Sequence, residues 1–192
     1  MRDSIYSKAG KRAFDMAAAT AAIIGLAPVL VATAVAIAIG DGGSPLYRQV
    51  RSGKDEVEFT LYKFRSMPLG TDSRASVHAR TMRITPVGRV IRRVNIDELP
   101  QLVNVLLGDM SIVGPRPALP SQVELLGMRR SSGAVALRPG LTGLAQINAY
   151  ENMPERVKAH YDSVYAASVT LPKDLRIIAS TLRYLLKPPP TY

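Results

Sequence analysis

The residues most suited to catalysis in this chain are two adjacent carboxylates, Asp97 and Glu98. Arg92 and Arg93 precede this pair, and Arg116 follows it in a Gly-Pro-Arg-Pro segment. Two acids in a cationic setting suit metal-assisted phosphoryl chemistry, because the acids hold a divalent cation or attack phosphorus while arginines neutralise phosphate oxygens. The spacing therefore predicts a phosphate-handling site around Asp97 and Glu98.

The same two acids also have a structural explanation, which the sequence leaves open. Asn95 followed by Glu98 is a variant capping box, and acids in a first turn complement the helix dipole. The pattern predicts a helix from near Asn95 to Gly108, with Pro100 tolerated in its first turn. Four apolar residues at helical spacing are expected to form its buried face: Leu99, Leu102, Val103 and Leu106.

A long apolar segment, residues 16–40, contains no charged side chain. Its roughly 25 residues, at about 1.5 Å each in a helix, are enough to cross a hydrocarbon core of about 30 Å. A cleaved signal peptide is the weaker interpretation, because the run is long and no small-residue cleavage site follows it. The segment predicts a membrane-embedded helix, so the acid pair is expected to act on a lipid-linked substrate.

Whether this helix spans the bilayer or re-enters it is a separate question. Basic residues flank both ends, whereas positive charge normally marks one side of a membrane. Pro28 lies near the centre, where it removes a backbone hydrogen bond and bends a helix. These observations fit a re-entrant helix broken at Pro28, and a kinked spanning anchor is the alternative. The basic flanks are Arg2, Lys8, Lys11 and Arg12 on one side and Arg48, Arg51 and Lys54 on the other.

The composition narrows the class of partner. Lys and Arg total 25 against 15 Asp and Glu, which gives a formal charge of +10 over 192 residues. This excess favours an anionic partner such as a phosphorylated small molecule or an anionic lipid surface. Nucleic acid is disfavoured, because the basic residues are dispersed and aromatic residues are only 6%. With no cysteine and two histidines, a thiolate nucleophile, a Cys-ligated metal and a Ser-His-Asp triad are also disfavoured.

The rest of the chain predicts a mixed α/β fold that is mainly helical, in a single functional unit. The final helix is amphipathic and basic, so it suits either a membrane interface or packing on the core. The expected elements are a β-hairpin of segments 45–50 and 57–64, a surface loop at 67–85, helices at 87–94, 121–130 and 174–187, and an ordered glycine-containing loop at 138–146.

Five segments, taken in order, resemble the bacterial sugar transferase family, the monotopic phosphoglycosyl transferases. The resemblance runs from about residue 11 to 187, and the length is similar to the minimal catalytic form. The segments that carry it are Lys11–Asp15, Tyr62–Met67, Asp97–Leu102, Gly108–Pro117 and Arg138–Gly143.

The resemblance implies transfer of a sugar-1-phosphate from a UDP-sugar to undecaprenyl phosphate, with release of UMP. It makes Asp97 the nucleophile, which forms a phosphosugar-aspartyl intermediate and contacts the Mg²⁺ cofactor, and Glu98 its partner in proton handling or orientation. It also implies a re-entrant helix broken at Pro28. The expected substrate-binding residues are Lys63, Arg92, Arg116, Arg138 and Gln146.

The resemblance further implies a division into a re-entrant membrane helix, residues 1–40, and a membrane-associated catalytic domain, residues 41–192, on the cytoplasmic face of the inner membrane. Membrane lipids and downstream glycosyltransferases are the other expected partners, with interfacial amphipathic helices at the surface. A non-catalytic membrane-anchored scaffold with the same fold is the alternative function. One departure from the family pattern, Asn148-Ala149-Tyr150, removes a cation near the sugar or nucleotide side.

Overall fold

The computed structural model describes residue 6 and residues 10–70, 84–148 and 153–185. The described residues are mainly helical, with two short two-stranded sheets, so the predicted fold class is confirmed in this respect. The elements are α1 Lys11–Asp41, β1 Leu46–Ser52, β2 Glu58–Phe64, α2 Pro86–Arg93, α3 Gln101–Leu107, β3 Ser111–Val113, α4 Val123–Ser132, β4 Gly140–Thr142, α5 Leu144–Ile147, α6 Glu155–Ala166 and α7 Leu171–Leu185.

Helix α1 contains the predicted membrane segment, and by length and composition it could cross a membrane. Its outer face is apolar and exposed, with Ile24 70%, Val31 63% and Ile39 81% accessible. An exposed apolar face of this kind indicates contact with a membrane or another apolar surface. The helix continues through Pro28 without interruption of its secondary structure, so the re-entrant break stays a prediction.

Both halves of α1 pack against the same body of the protein. Ala19, in the first half, belongs to a core cluster with Leu102 of α3. Ile37, in the second half, packs with Phe64 of β2 and Ile91 of α2. Because residues before and after Pro28 contact one globular unit, the two ends of the apolar segment lie against that unit together.

The start of α1 is fixed by polar contacts with other elements. Asp15 is 2% exposed and accepts hydrogen bonds from the Ser111 hydroxyl at 2.8 Å and the Ile112 amide at 3.0 Å. Arg12 donates to the carbonyls of Val105 and Leu106 near the end of α3, at 2.5 and 2.9 Å. These bonds hold α1 against both α3 and β3.

The predicted hairpin is confirmed, and its first strand ends two residues later than expected. Strands β1 and β2 pair antiparallel in a register that sets Leu46 opposite Phe64 and Ser52 opposite Glu58. Helix α2 is also confirmed, and the Thr85 hydroxyl caps it by accepting the Gly88 amide at 2.9 Å. Most of the predicted loop at 67–85 lies outside the described residues.

Helix α3 ends at Gly108 as predicted, where φ is 97°, but its start and its buried face differ from the expectation. It begins at Gln101, after a turn of 3₁₀ helix over Ile96–Glu98. Val103, expected in the core, is 44% exposed, whereas Val105 and Asn104 are fully buried. Leu102 is buried and Leu99 and Leu106 pack against the same core cluster, so only Val103 was wrong on the predicted face. The buried amide of Asn104 takes a core position that an apolar pattern does not predict.

Helix α7 packs on the core through one face, which supports the core alternative for the final helix. Asp174 is fully buried and accepts hydrogen bonds from Tyr6, Lys11 and Tyr165 at 2.7, 2.8 and 2.7 Å. Leu182, on its other face, is 58% exposed. Residues beyond Leu185, which the sequence placed in this helix, lie outside the described ranges.

Candidate active site

The two acids lie in the 3₁₀ turn that joins α2 to α3. The chain reaches this turn through Asn95, which adopts a left-handed conformation with φ 54°. Asparagine tolerates this region better than most non-glycine residues. The Asn95 side chain makes no capping bond, so the capping-box interpretation is wrong: Glu98 directs its carboxylate to two cations instead.

Glu98 is the acid that pairs with the neighbouring cations. Its Oε1 accepts from Lys63 Nζ at 3.1 Å and from an Arg116 Nη at 2.6 Å. Burial alone would raise the pKa of Glu98, but Arg116 and Lys63 together outweigh it and lower the pKa to about 2. Glu98 is therefore ionised at physiological pH and holds both cations in place.

Asp97 has a different environment, although it is the next residue. It is 8% exposed, and no side chain among the described residues donates a hydrogen bond to its carboxylate. Burial and the neighbouring Glu98 charge raise its pKa, with Lys63 and Arg92 acting in the opposite direction. A partly desolvated carboxylate without a side-chain donor among the described residues is available to bind a cation or to attack an electrophile.

A buried amide, Asn104, sets the distance between Lys63 and the acid pair. Its Oδ1 accepts from the Tyr62 amide at 3.1 Å, and its Nδ2 donates to the Thr60 carbonyl at 2.8 Å. These bonds join α3 to β2 one residue away from Lys63. The prediction from sequence omitted Asn104, and the available signal was an amide within an otherwise apolar helical run.

The Gly-Pro-Arg-Pro turn places Arg116 beside Glu98. The Gly114 amide donates to the Thr142 carbonyl at 2.9 Å, and the Gly140 amide donates to the Pro115 carbonyl at 2.8 Å. A Cβ at Gly140 would lie only 2.1 Å from the Gly114 nitrogen, so glycine is required for this close approach. The expectation that glycines at 138–146 allow close backbone contact is confirmed, and the contact partner is this turn.

The remaining residues predicted to bind substrate are not all at the acid pair. Arg92 is near Asp97, and its Nε donates to Ser66 Oγ at 2.8 Å. Arg138 Nε donates to the Gly108 carbonyl at 2.8 Å, at the far end of α3 from Glu98. Arg138 therefore makes this bond at the opposite end of α3 from the acids.

Gln146 lies beneath the turn that carries Arg116. Its Nε2 donates to the Gly140 carbonyl at 3.4 Å, and its Oε1 is buried without a hydrogen-bond partner among the described residues. The structure thus brings Lys63, Arg92 and Arg116 to the acid pair. A role for Arg138 and Gln146 in substrate binding stays a prediction.

Comparison with known proteins finds one family that matches nearly the whole chain. The family model described as bacterial sugar transferase matches residues 6–188. The chain is 37% identical over 176 residues to the uncharacterized sugar transferase EpsL of Bacillus subtilis, covering 92% of this chain and 87% of that protein.

Two further relatives have names that state a reaction. The UDP-glucose:undecaprenyl-phosphate glucose-1-phosphate transferase of Caulobacter vibrioides is 38% identical over 187 residues, which is 92% of this chain and 69% of the relative. A UDP-N-acetylgalactosamine-undecaprenyl-phosphate N-acetylgalactosaminephosphotransferase of Aeromonas hydrophila is 38% identical over 183 residues, which is 92% of this chain and 43% of the relative.

Proposed function

The chain belongs to the bacterial sugar transferase family, and from that premise we propose that it transfers a sugar-1-phosphate from a UDP-sugar to undecaprenyl phosphate and releases UMP. The names of the Caulobacter vibrioides and Aeromonas hydrophila relatives state these two classes of substrate. The observation that carries the proposal is the contrast between two adjacent acids. Glu98 is bound by two cations, whereas Asp97 has no hydrogen-bonded side-chain partner among the described residues.

The reaction proceeds in two displacements at one phosphorus atom. An Asp97 carboxylate oxygen attacks the sugar-proximal phosphorus, an Asp97–phosphorus bond forms, and the bond to the UMP oxygen breaks. An oxygen of undecaprenyl phosphate then attacks the same phosphorus, and Asp97 leaves as a carboxylate. Lys63, Arg92 and Arg116 offset the charge on the phosphoryl oxygens in both steps.

This sequence of steps assigns Glu98 an orienting role rather than proton handling. With UMP leaving as a dianion and the lipid phosphate attacking as a dianion, charges balance in each step without any proton transfer. Glu98 is also a poor proton carrier, because its pKa of about 2 keeps it ionised. Its contribution is to hold Lys63 and Arg116 where the diphosphate binds.

Mg²⁺ fits the donor set around Asp97. Magnesium sites commonly use one or two carboxylates, with substrate phosphates and water as the other ligands. The described residues contain no cluster of three or more potential ligands, and the Asp97 carboxylate takes no hydrogen bond from a described side chain. Asp97 would hold the ion, which when bound lowers the repulsion between the carboxylate and the phosphate.

We place the protein at the cytoplasmic face of the inner membrane, with α1 entering and leaving the same leaflet. This arrangement is supported by the packing of both halves of α1 on one globular unit and by the exposed apolar face of that helix. It holds the acid pair at headgroup depth, where a polyprenyl chain presents its phosphate. Exopolysaccharide assembly is the pathway class that relatives' names indicate.

The test is a UMP-release screen in detergent, with Mg²⁺, undecaprenyl phosphate and a panel of UDP-sugars. The proposal expects UMP with at least one sugar, and none from the Asp97→Asn variant. Without acceptor lipid, intact-mass analysis should find one phosphosugar added at Asp97. No UMP across the panel would contradict the proposal and favour a membrane-anchored scaffold.

A further inference from the structure

One cation near the acid pair has no part in the function proposed above. Arg51 lies near the end of β1, on the same face of the strand as Tyr47. Tyr47 is the residue that lies opposite Lys63 in the hairpin. Its pKa is lowered by burial first and by the neighbouring Arg116 second, with Glu98 acting in the opposite direction. Arg51 is therefore close enough to Arg116 and Glu98 to respond to their charges.

Arg51 contacts the turn that carries Arg116. One Arg51 Nη donates to the Pro117 carbonyl at 3.3 Å, and the other donates to Gln49 Oε1 at 2.5 Å. The next residue, Ser52, donates its amide to the Ala118 carbonyl at 2.9 Å. Two consecutive residues of β1 thus hold the two residues that directly follow Arg116, while Gly140 and Thr142 hold the other side of the turn.

The charge balance at Arg51 is unusual for a guanidinium that is largely buried. No carboxylate lies within salt-bridge distance of it in the described part of the chain, and its Nε is buried without a hydrogen-bond partner there. Together with Lys63, Arg92 and Arg116 it gives four cations against the two acids. Like charges this close repel one another, and an anion with two charges relieves that repulsion.

We infer that Arg51 is a positioning residue of the phosphate site, which fixes Arg116 through the Pro117 carbonyl and adds positive charge behind it for a diphosphate group. The inference rests on the proposed function for the identity of the anion as the diphosphate of a nucleotide sugar. The contacts with Pro117 and Ala118 are independent of that identity.

The chain offers a matched control on the same strand. Arg48 carries the same charge on the opposite face of β1, is exposed, and lies with its guanidinium carbon 5.9 Å from the centre of the Tyr62 ring. Arg48→Gln therefore removes one positive charge from the hairpin without touching the turn. Comparison with Arg51→Gln separates a local role from the general field of a basic protein.

The experiment measures the affinity of the full-length protein in detergent for inorganic pyrophosphate by calorimetry. The variants are Arg51→Gln, Arg51→Lys, Arg48→Gln, Arg116→Ala and the double variant of Arg51→Gln with Arg116→Ala. We expect Arg51→Gln to weaken binding about tenfold or more, the scale of one charge-assisted hydrogen bond. Arg48→Gln should change it less than about twofold.

The double variant decides between positioning and a general field. If Arg51 acts through Arg116, Arg51→Gln weakens binding by less than about threefold when Arg116 is already alanine, because coupled residues are not additive. Equal losses in both backgrounds would overturn the positioning role. Arg51→Lys should restore affinity only in part, because one ammonium lacks the guanidinium's fixed set of donors. Full restoration by lysine would also overturn it.

Turnover adds a second readout and separates this inference from the proposed function. With a UDP-sugar that gives UMP, Arg51→Gln should raise KM more than it lowers kcat. If the wild-type protein binds pyrophosphate but releases no UMP with any sugar, the proposed function fails and the binding comparison still decides the role of Arg51. Absence of pyrophosphate binding by the wild-type protein at millimolar concentration would overturn the inference. Far-UV circular dichroism checks each fold, and Arg51→Lys carries the test if Arg51→Gln does not fold.

Discussion

Glu98→Gln should destabilise the protein, in a way that depends on pH. The pKa of Glu98 is about 2, against 4.5 for an ordinary glutamate, and the side chain is only 17% exposed. At about 1.4 kcal/mol for each pKa unit, pairing with Lys63 and Arg116 contributes about 3 kcal/mol at neutral pH. Removing this charge also removes the repulsion between Glu98 and Asp97. We therefore expect the free energy of unfolding to fall by about 2–3 kcal/mol.

The sign of the pH dependence follows from the lowered pKa. A carboxylate whose pKa is lower in the folded state stabilises the protein above its unfolded pKa, near 4.5, and loses that effect as the pH falls toward about 2. The difference in the free energy of unfolding between wild type and Glu98→Gln should therefore decrease to about 1–1.5 kcal/mol at pH 3.

Equilibrium urea unfolding in detergent, followed by far-UV circular dichroism, measures both values. Glu58→Gln is the control, because Glu58 is exposed on the same hairpin and lies in no ion pair among the described residues. Its effect should stay within about 0.5 kcal/mol. A similarly small effect of Glu98→Gln at pH 7, or an equal effect at pH 3 and pH 7, would show that the two cations do not stabilise Glu98.

Three further outcomes follow from the site and from α1. Asp97→Asn should abolish UMP release and the phosphosugar adduct. It should also raise the midpoint of urea unfolding at pH 7, because the raised pKa of Asp97 means that its charge destabilises the folded state, and a lower midpoint would contradict this. Arg116→Ala should slow turnover by about 100-fold or more, and Arg116→Lys should recover only part of it; full recovery by lysine would reduce Arg116 to a source of positive field. The chain has no native cysteine, so single cysteines at Ser4 and Ser44 should both resist an impermeant thiol reagent in intact spheroplasts and react after permeabilisation. Labelling of Ser4→Cys alone before permeabilisation would indicate a spanning helix.

The elements that the sequence predicted are those with local signals. Hairpin alternation and the glycine after α3 each depend on residues within one turn or one strand pair. The parallel pairing of β3 with β4 has no such signal. It joins Ser111 to Gly140 through strands of three residues each, so the pairing depends on contacts distant in sequence.

Helix α6 was absent from the prediction because its buried face is partly polar. Asp162 is 2% exposed and pairs with Arg129 of α4, whose side chain is also buried, at 2.8 Å. An acid and a tyrosine, Tyr165, stand where an apolar periodicity would be expected. Pattern analysis places such acids on the solvent face, and only the partner helix shows that they are inside.

The candidate site also contains residues that the sequence predicted and one that it did not. Residue chemistry and family resemblance selected Asp97, Glu98, Lys63 and Arg116, which the structure brings together. Asn104 was not selected, since its importance depends on the backbone of β2, about forty residues earlier in the chain. The Arg116 contact also explains why the capping box failed: a glutamate with two cations nearby gains more from them than from one backbone amide.

Helix α3 links the apolar helix α1 to the acid pair, and its length explains why that link is tight. It has seven residues, so its two ends are only about 10 Å apart. Arg12 of α1 binds carbonyls in its last turn, and Glu98 lies three residues before its first residue. A helix too short to bend transmits a shift at one end to the other, and Asn104 fixes its middle to β2. In the proposed arrangement, the depth of Asp97 relative to a lipid phosphate is therefore set by how α1 lies in the membrane, through contacts that no single segment of the sequence contains.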